Sequence, residues 1–398
     1  FPRMTEKLGI VYTPVEVVDF IIHSVNDVLK SEFGKTFADD NVHVLDPFTG
    51  TGTFINRLLQ SGLIPTDRLT YKYKNEIHAN EIVLLAYYIA SINIETVYHD
   101  QMKTVNPDLE YEPFEGICLT DTFEMYEKDD LVSKVLVDNS ARRKRQKNLD
   151  ITVIVGNPPY SAGQESANDN NANVAYPHLD DRISQTYVNF SNSLNTKSNY
   201  DSYIRAIRWA SDRIKDCGVI GFVTNGGYID SNSADGLRKC LADEFSSLYF
   251  FHLRGNQRTS GERSRQEGGK IFGGGSRAPI VIAVLVKNPN AKQHGQIHFH
   301  DIGNYLSREE KLEKISDLVS INGITSIDGW TKIKPDLYND WLNQRDDSFY
   351  EFMPIGDKKE KSLFNTYCFG VTTNRDIWAY ATSNDKLEEK IKNLILFY

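Results

Sequence analysis

Residues 151–160 read Ile151-Thr152-Val153-Ile154-Val155-Gly156-Asn157-Pro158-Pro159-Tyr160, and they combine a strand with a rigid turn. The run of β-branched residues is typical of a strand that is buried on both faces. Pro158 restricts its own φ and biases Asn157 towards an extended conformation, so the Asn157 amide is held rigidly beyond the strand. An ordinary Pro-Pro turn after a buried strand is the alternative interpretation.

Six further strands are predicted along the chain, and helical patterns lie between them. The seven predicted strands span residues 42–45, 77–82, 116–119, 151–155, 219–223, 247–253 and 280–286. Strands interleaved with helices predict an α/β fold with a doubly wound, mostly parallel, Rossmann-like sheet of seven strands. Ligands of such sheets bind beyond the carboxyl ends of the strands, and Asn157 follows one of these ends.

The composition is ordinary for a globular protein, with 40% hydrophobic and 25% charged residues in a chain of 398. The four cysteines are far apart and form no CxxC pair, which argues against a disulfide framework or zinc site and favours the cytoplasm. No apolar stretch approaches membrane-spanning length, so no membrane partner is expected. Because the chain begins with Phe1 and shows no signal-peptide pattern, we expect it to be part of a longer protein.

The net charge of −9 argues weakly against binding of nucleic acid, but two local runs are basic. Residues 254–277 hold six basic side chains against two acidic ones, and residues 142–147 form the second run. Either run could be only a solvated loop. We expect the basic side chains of the longer run to contact a phosphate backbone, and these are Arg254, Arg258, Arg263, Arg265, Lys270 and Arg277.

A glycine-rich turn follows the first predicted strand and reads Asp46-Pro47-Phe48-Thr49-Gly50-Thr51-Gly52. Glycines let the backbone approach a ligand closely at the start of a helix. The dinucleotide pattern GxGxxG and the Walker pattern are both absent, which disfavours hydride transfer and nucleoside triphosphate hydrolysis. A carboxylate at this strand end suits a cation, such as the sulfonium and α-ammonium groups of S-adenosylmethionine.

Acidic residues also follow the second and third predicted strands. Glu81 is the expected partner of ribose hydroxyls, with Glu76 at the other end of the same strand as the second choice. Asp121 is expected to accept a hydrogen bond from an adenine amine. Each acid alone could equally be a helix cap or a solvated carboxylate. Upstream, Thr13 and Pro14 are predicted as the N-cap and first residue of an amphipathic helix.

The order of these motifs resembles that of the γ-class N6-adenine DNA methyltransferases. In that family a Thr-Pro motif is followed by a DPxxGxG turn, acidic strand ends and NPPY. The matching residues here are Thr13-Pro14, Asp46 to Gly52, Glu81, Asp121 and Asn157 to Tyr160. A closer resemblance, carried by residues 157–164, 218–228 and 251–256, is to the methyltransferase part of Type ISP restriction-modification enzymes.

The resemblance implies a role for each matching residue. The cofactor S-adenosylmethionine would be bound by Thr13, Pro14, Asp46, Thr49, Gly50, Gly52, Glu81 and Asp121. Asn157, Pro158, Pro159 and Tyr160 would form the catalytic motif, in which the Asn157 side chain and Pro158 carbonyl accept the target amine's hydrogens. Tyr160 and Phe272 would stack on the two faces of the target base.

The expected reaction is methyl transfer to the N6 amine of an adenine flipped out of double-stranded DNA, without a metal. RNA-adenine or protein-glutamine methyl transfer is the first alternative, and a non-catalytic nucleic-acid scaffold is the second. Residues 1–298 would form the methyltransferase domain, and residues 299–398 a C-terminal extension. No helicase or nuclease motif occurs in the sequence, so these activities and target recognition are expected in covalently linked parts of the full-length protein.

Overall fold

A computed structural model describes residues 12–124, 137–159, 175–193, 195–272, 277–342, 346, 348, 351–356, 361–366 and 376–397. The chain divides into two compact units, Phe1–Gln344 and Arg345–Tyr398. Within the described ranges, no helix combines the length and apolar character needed to cross a membrane.

The first unit is built around one sheet. Its strands in the described residues are β1 (Val44–Asp46), β2 (Ile77–Glu81), β3 (Ile117–Leu119), β4 (Val153–Gly156), β5 (Gly218–Asn225), β6 (Ser247–Arg254), β7 (Ile280–Lys287), β8 (Gln296–Asp301) and β9 (Thr331–Ile333). They lie in the order β3-β2-β1-β4-β5-β7-β6-β8-β9. The strands from β3 to β5 are parallel, whereas β7 is antiparallel to both of its neighbours. At the far edge, β8 is parallel to β6 and β9 is antiparallel to β8.

Helices connect most of these strands. In chain order the described α-helices are α1 (Val15–Phe33), α2 (Thr53–Gln60), α3 (Thr66–Asn75), α4 (Leu84–Lys103), α5 (Val137–Asn148), α6 (Pro177–Ile183), α7 (Ser202–Arg213), α8 (Asp235–Glu244), α9 (Gly261–Glu267), α10 (Arg308–Leu318), α11 (Ile321–Ser326), α12 (Asp376–Ala379) and α13 (Asn384–Phe397). A π-helical turn, Ser184–Val188, continues α6. Short 3₁₀ helices span Lys197–Tyr200, Gly226–Tyr228 and Asn232–Ala234.

The predicted doubly wound, mostly parallel α/β sheet is confirmed, with nine strands in the described residues in place of seven. All seven predicted strands are present, and each begins and ends within two residues of its expected bounds. The additional strands β8 and β9 extend the sheet beyond β6. The three residues of β9 are partly or fully exposed and include a lysine, so they carry too little apolar pattern to predict a strand.

Alternating residues of the central strands face two separate hydrophobic cores. In β4, Val153 and Val155 pack into the core that contains α1, whereas Ile154 packs into the core that contains α7. A strand buried on both faces in this way requires helices on each side of the sheet. This arrangement explains why residues 153–155 are continuously apolar.

The strand order reverses between β1 and β4. From β1 the chain proceeds outwards through β2 to β3, and it then returns to form β4 on the opposite side of β1. The connections after β1 and β4 therefore diverge, which leaves a crevice beyond their carboxyl ends. Asp46 and Asn157 lie at the two sides of this crevice.

Residues after 298 are integrated into the first unit up to Leu342. The helix α10 packs against α1, and Ser320 donates a hydrogen bond to Asp27 at 2.6 Å. Asp340 forms an ion pair with Arg238 at 2.6 Å, and both side chains are at most 2% exposed. The division of function at residue 298 stays a prediction, whereas the compact unit extends further.

Replacing Asp340 with alanine should lower the free energy of unfolding by about 3–5 kcal/mol, because the buried Arg238 guanidinium loses its carboxylate. Urea unfolding followed by circular dichroism measures this change. The matched control is Asp243→Ala, since Asp243 pairs with Lys239 at the surface and should contribute less than about 1 kcal/mol. Similar losses in both variants would contradict the importance assigned to the buried pair.

Candidate active site

Polar side chains follow the carboxyl ends of four adjacent strands. In sheet order these residues are Asp121 after β3, Glu81 at the end of β2, Asp46 at the end of β1 and Asn157 after β4. Because the four strands are parallel, their carboxyl ends meet at one edge of the sheet. The structure therefore brings together the acidic residues and the amide that the sequence singled out.

The Asp46 carboxylate is fully buried at the centre of this edge. Its Oδ1 accepts a hydrogen bond from the Phe48 amide at 3.1 Å, whereas Oδ2 is buried and has no hydrogen-bond partner among the described residues. Burial raises the pKa of Asp46 to about 8, and the nearby charge of Glu81 also raises it. A buried carboxylate with an unused oxygen is suited to a cation or hydrogen-bond donor that the protein does not itself supply.

Gly156 lets the Asp46 carboxylate lie against β4. A Cβ atom at position 156 would be 3.0 Å from Asp46 Oδ1 and 3.6 Å from the Pro47 side chain. A larger residue would therefore have to displace the carboxylate or the turn that follows β1. The small residue before Asn157 thus brings the Asp46 and Asn157 sides of the crevice together.

Glu81 holds the glycine-rich turn against the end of β2. Its Oε2 accepts from the Gly50 amide and its Oε1 from the Val83 amide, each at 2.7 Å. Gly50 and Gly52 both have positive φ, at 56° and 90°, a conformation that favours glycine. Burial raises the pKa of Glu81, whereas these amide hydrogen bonds lower it. Each carboxylate oxygen still has a lone pair that could accept a ligand hydroxyl.

Thr49 contributes to the turn itself. Its hydroxyl donates to the Asp46 carbonyl at 2.9 Å, and its amide donates to the Asn80 carbonyl at 3.0 Å. The side chain is 5% exposed. Thr49 therefore shapes the turn in this structure, and the predicted contact with a cofactor stays a prediction.

Asp121 is held by a residue that the sequence did not single out. The Tyr176 hydroxyl donates to Asp121 Oδ2 at 2.9 Å, and the Phe123 amide donates to Oδ1 at 2.9 Å. Burial raises the pKa of Asp121, whereas the Tyr176 hydrogen bond lowers it. Arg205 lies over the Tyr176 ring at 5.2 Å. No local motif marks Tyr176, because only the folded chain brings it to the end of β3.

A second set of missed residues ties three strand ends together. The Thr122 hydroxyl donates to the Pro47 carbonyl at 2.6 Å, and Asn80 Nδ2 donates to the Thr122 hydroxyl at 3.3 Å. Asn80 and Thr122 are both buried. The sequence does contain one signal for this contact, which is Asn80 within the second predicted strand. Strands disfavour asparagine, so an asparagine there indicates that its amide has hydrogen-bond partners.

Asn157 contacts the Thr-Pro motif. Its Nδ2 donates to the Thr13 hydroxyl at 3.0 Å, and its Oδ1 is buried with no hydrogen-bond partner in the described part of the chain. In the adjoining prolines, Pro158 is buried and Pro159 is exposed. The amide is thus held at its nitrogen end while its oxygen remains available.

The predicted helix capping at Thr13 and Pro14 is wrong by one residue. The helix α1 begins at Val15, and Pro14 occupies the N-cap position without a side-chain cap. The Pro14 carbonyl accepts hydrogen bonds from the Val17 and Val18 amides. Thr13 does not cap the helix because its hydroxyl contacts Asn157 instead.

Glu76, the second choice for a ribose partner, lies at the opposite edge of the sheet. It forms a buried ion pair with Lys72 and accepts a hydrogen bond from the Asn41 amide at 2.7 Å. These contacts connect α3 to the start of β1. Glu76 therefore does not belong to the candidate site.

The structure gives less support to the two residues that were predicted to stack on the target base. Tyr160 lies outside the described residues. Phe272 is 2% exposed and packs in the core that contains α1, so a base could reach its ring only after local rearrangement. Stacking by either residue stays a prediction.

The basic residues around α9 fall into two groups. Arg258, Arg263, Arg265 and Arg277 are exposed, and Lys270 is half-buried. Arg254 instead donates to Asp301 and Asn304, each at 2.7 Å, so its guanidinium already has partners within the protein. The exposed group is the more suitable surface for a polyanion.

Buried Lys311 anchors this basic segment. Its Nζ donates to the carbonyls of Glu267 at 2.7 Å and Gly269 at 2.6 Å. Glu267 in turn accepts from the Asn256 amide at 2.9 Å. The helix α10 therefore holds the C-terminal end of α9, which carries Arg263 and Arg265, and Glu267 links that end to Asn256.

Comparison with known families finds a match in the middle of the chain. Residues 70–258 match the model of the Eco57I restriction-modification methylase family. No curated protein matches the chain.

Solved structures of restriction-modification enzymes resemble nearly the whole chain. A nuclease-deletion mutant of the Type ISP restriction-modification enzyme LlaGI, in complex with a DNA substrate mimic, matches 96% of the chain at 50% identity and a TM-score of 0.87. The ATP-dependent Type ISP enzyme LlaBIII bound to DNA matches 98% at 46% identity and a TM-score of 0.89. A DrdV–DNA complex matches 99% at 38% identity and a TM-score of 0.88. The chain spans 31%, 26% and 38% of the length of these three proteins, respectively.

The pH dependence of stability should report the buried Asp46 carboxyl. Its pKa is about 8 in the folded protein and near 4 when unfolded. Its contribution to stability is therefore fully present below about pH 4 and is lost as pH rises towards 8, by up to about 1.4 kcal/mol per pH unit.

Urea unfolding of the unliganded wild type and of Asp46→Asn, from pH 5 to 8, measures this contribution. The stability of the wild type should fall relative to that of the variant as pH rises, because asparagine has the same shape and does not ionise. Parallel curves for the two proteins would contradict the raised pKa.

Proposed function

The chain belongs to the restriction-modification methylases, and from this premise we propose that it transfers a methyl group from S-adenosylmethionine to the N6 amine of an adenine flipped out of duplex DNA. Two buried oxygens support the proposal most strongly. They lie beside the ends of β1 and β4, between which the strand order reverses. Asp46 Oδ2 and Asn157 Oδ1 both lack a hydrogen-bond partner among the described residues. One can face a cationic methyl donor and the other an amine.

The three acidic residues at adjacent strand ends, Asp46, Glu81 and Asp121, could bind successive parts of S-adenosylmethionine. Asp46 would lie beside the charged methionine end, together with Pro14, Gly50 and Gly52. The lone pairs left on Glu81 would accept from the ribose hydroxyls, and Asp121 would accept from the cofactor's adenine amine. When bound, the cofactor would supply an electrophilic methyl group on its sulfonium.

Asn157 and Pro158 would prepare the target amine. The lone pair of an adenine amine is delocalised into the ring, so the amine is a poor nucleophile while it stays planar. Hydrogen bonds from its two hydrogens to Asn157 Oδ1 and the Pro158 carbonyl would hold the amine in position and localise that pair on nitrogen. Rigid placement of the reacting groups is a large source of rate enhancement. No general base need act first, because the amine becomes acidic only after methylation.

The target adenine must leave the duplex, because its amine is stacked and paired there. Tyr160 and Phe272 are the proposed stacking residues, and aromatic contacts would partly offset the cost of unstacking. For Phe272 this role requires the local rearrangement described above.

The exposed basic residues around α9 are the proposed contacts to the DNA backbone. Arg258, Arg263, Arg265 and Arg277, with Lys270, offer a local positive surface on a protein whose net charge is −9. Phosphate contacts of this kind position a protein on DNA without reading its sequence. Arg254 is the weakest member of the original set because Asp301 and Asn304 already bind it.

We further propose that the chain acts as one part of a longer restriction-modification enzyme. Its similarity to multidomain Type ISP enzymes over 26–31% of their length supports this proposal. Nuclease, helicase and target-recognition parts are the expected covalent partners. The proposed location is the cytoplasm, where the free thiols of Cys118, Cys217 and Cys240 would stay reduced.

Labelled methyl transfer to duplex DNA, RNA and protein, measured in parallel with the full-length protein that contains this chain, tests the class of substrate. We expect transfer to DNA. Transfer to RNA or to protein glutamine alone would replace the proposal by those alternatives, and failure to bind S-adenosylmethionine would favour a non-catalytic scaffold.

Asn157→Ala should reduce the rate of methyl transfer by about 10²–10³-fold, because the target amine loses a positioned acceptor. The dissociation constant of S-adenosylmethionine should change by less than about threefold, since Asp46, Glu81 and Asp121 remain. Single-turnover kinetics and calorimetry measure the two quantities. Asn75→Ala, at the end of α3 on the opposite edge of the sheet, is the matched control. Equal loss of transfer and cofactor binding in Asn157→Ala would show that the role of Asn157 is misassigned.

A double variant, Arg263→Gln with Arg265→Gln, should weaken DNA binding and make it less sensitive to salt. Each lost phosphate contact lowers the slope of log K against log salt by about 0.9, so the slope should fall by about 2. Fluorescence anisotropy over a salt series measures it. The control pair is Lys30→Gln with Lys103→Gln, in the last turns of α1 and α4. The same slope in the wild type and the double variant would exclude these arginines from the DNA surface.

A further inference from the structure

One hydrogen bond joins two motifs that are 144 residues apart in the chain. Asn157 Nδ2 donates to the Thr13 hydroxyl at 3.0 Å. Thr13 is 9% exposed, and the oxygen at the other end of the same amide is buried with no partner in the described part of the chain. The nitrogen of the Asn157 amide thus has a hydrogen-bond partner, whereas its oxygen has none among the described residues.

We infer that Thr13 is a positioning residue that orients the Asn157 amide, so that its oxygen faces the target amine. This inference rests on the proposed function and deepens it. Thr13 would act on the target amine only through Asn157. It is a different role from the cofactor contact that the Thr-Pro motif implies.

The chemistry of the amide explains why orientation matters. With Nδ2 directed to Thr13, Oδ1 faces the site and can accept a hydrogen from the target amine. With the amide reversed, Nδ2 would face the amine, and two groups of donors would oppose each other. In the productive orientation the Thr13 hydroxyl accepts one of the two Nδ2 hydrogens, which gives the amide nitrogen a partner.

The position of Thr13 is rigid enough for this role. Pro14 restricts the preceding residue to an extended backbone conformation. The start of α1 is closed by backbone hydrogen bonds from Val17 and Val18 to the Pro14 carbonyl, at 3.1 and 3.2 Å. No side-chain hydrogen bond caps α1, so the Thr13 hydroxyl is not used for capping the helix.

The helix itself is anchored to the rest of the fold. Arg57 in α2 forms two hydrogen bonds with the Asp19 carboxylate, at 2.7 and 2.6 Å. On the sheet side, a Cβ atom at Gly221 would be 2.8 Å from both the Ile21 and Val25 side chains, so α1 packs directly onto β5. The helix that Thr13 precedes is thus packed on β5, and β5 pairs with β4, the strand that Asn157 follows.

Two substitutions of Thr13 separate positioning from cofactor contact. Thr13→Val keeps the shape of the side chain and removes the hydroxyl, whereas Thr13→Ser keeps the hydroxyl. With saturating S-adenosylmethionine and duplex DNA, Thr13→Val should slow single-turnover methyl transfer by about 10–100-fold, and Thr13→Ser should restore most of the rate. The dissociation constant of S-adenosylmethionine should stay within about threefold of the wild-type value in both. A Thr13→Val variant with weaker cofactor binding but a normal rate at saturation would overturn the inference.

A double-mutant cycle in the unliganded protein tests the hydrogen bond without any activity. Thr13→Val and Asn157→Ala each remove the same contact, so their effects on the melting temperature should not add in the double variant. Additive shifts would mean that the two side chains are not coupled, and the inference would fail.

The proposed function and the inference about Thr13 would be contradicted by different results. If the full-length protein that contains this chain transfers no methyl group to DNA, the proposed function fails, and the inference fails with it even where the melting temperatures show coupling. If Asn157→Ala abolishes transfer while Thr13→Val does not, only the inference fails.

Discussion

The rest of the site depends on the buried carboxylate of Asp46, which lies where the strand order of the sheet reverses. Asp46 lies at the end of a central parallel strand, and its carboxylate lies so close to the neighbouring strand that a Cβ atom at Gly156 would crowd it. Taking this group out of water raises its pKa to about 8. Burying a carboxylate costs free energy, and proteins retain such groups at functional sites. For this reason we propose that Asp46 is the centre of a site for a cationic cofactor.

The surrounding polar groups hold the strand ends in a fixed relation. Glu81 binds the Gly50 amide, Thr122 joins the turns after β1 and β3, and Thr13 meets Asn157. Each hydrogen bond connects segments that are far apart in sequence. The Asn-Pro-Pro turn after β4 is therefore not an independent turn, because both the turn after β1 and the segment before α1 contact it or the strand that it follows.

Much of this arrangement could be predicted from the sequence, because parallel strands place their carboxyl ends at one edge. The apolar runs gave the seven central strands, and the polar residues after them gave Asp46, Glu81, Asp121 and Asn157. The contacts of Tyr176 and Thr122 were missed because they depend on tertiary approach and have no local pattern. Thr13 was misread for a related reason: a threonine before a proline resembles an N-cap, and its actual partner is 144 residues away. The short, polar β9 carried too little periodicity to be detected.

The central claim is that Asn157 presents the N6 amine of adenine to a methyl donor. It is tested most directly by identifying the atom that carries the methyl group, after incubation of the full-length protein that contains this chain with isotopically labelled S-adenosylmethionine and duplex DNA. Nucleoside digestion followed by mass spectrometry makes this measurement. The account predicts label in N6-methyldeoxyadenosine. Label on a ring nitrogen, on cytosine, or on no nucleoside although the cofactor binds would contradict it.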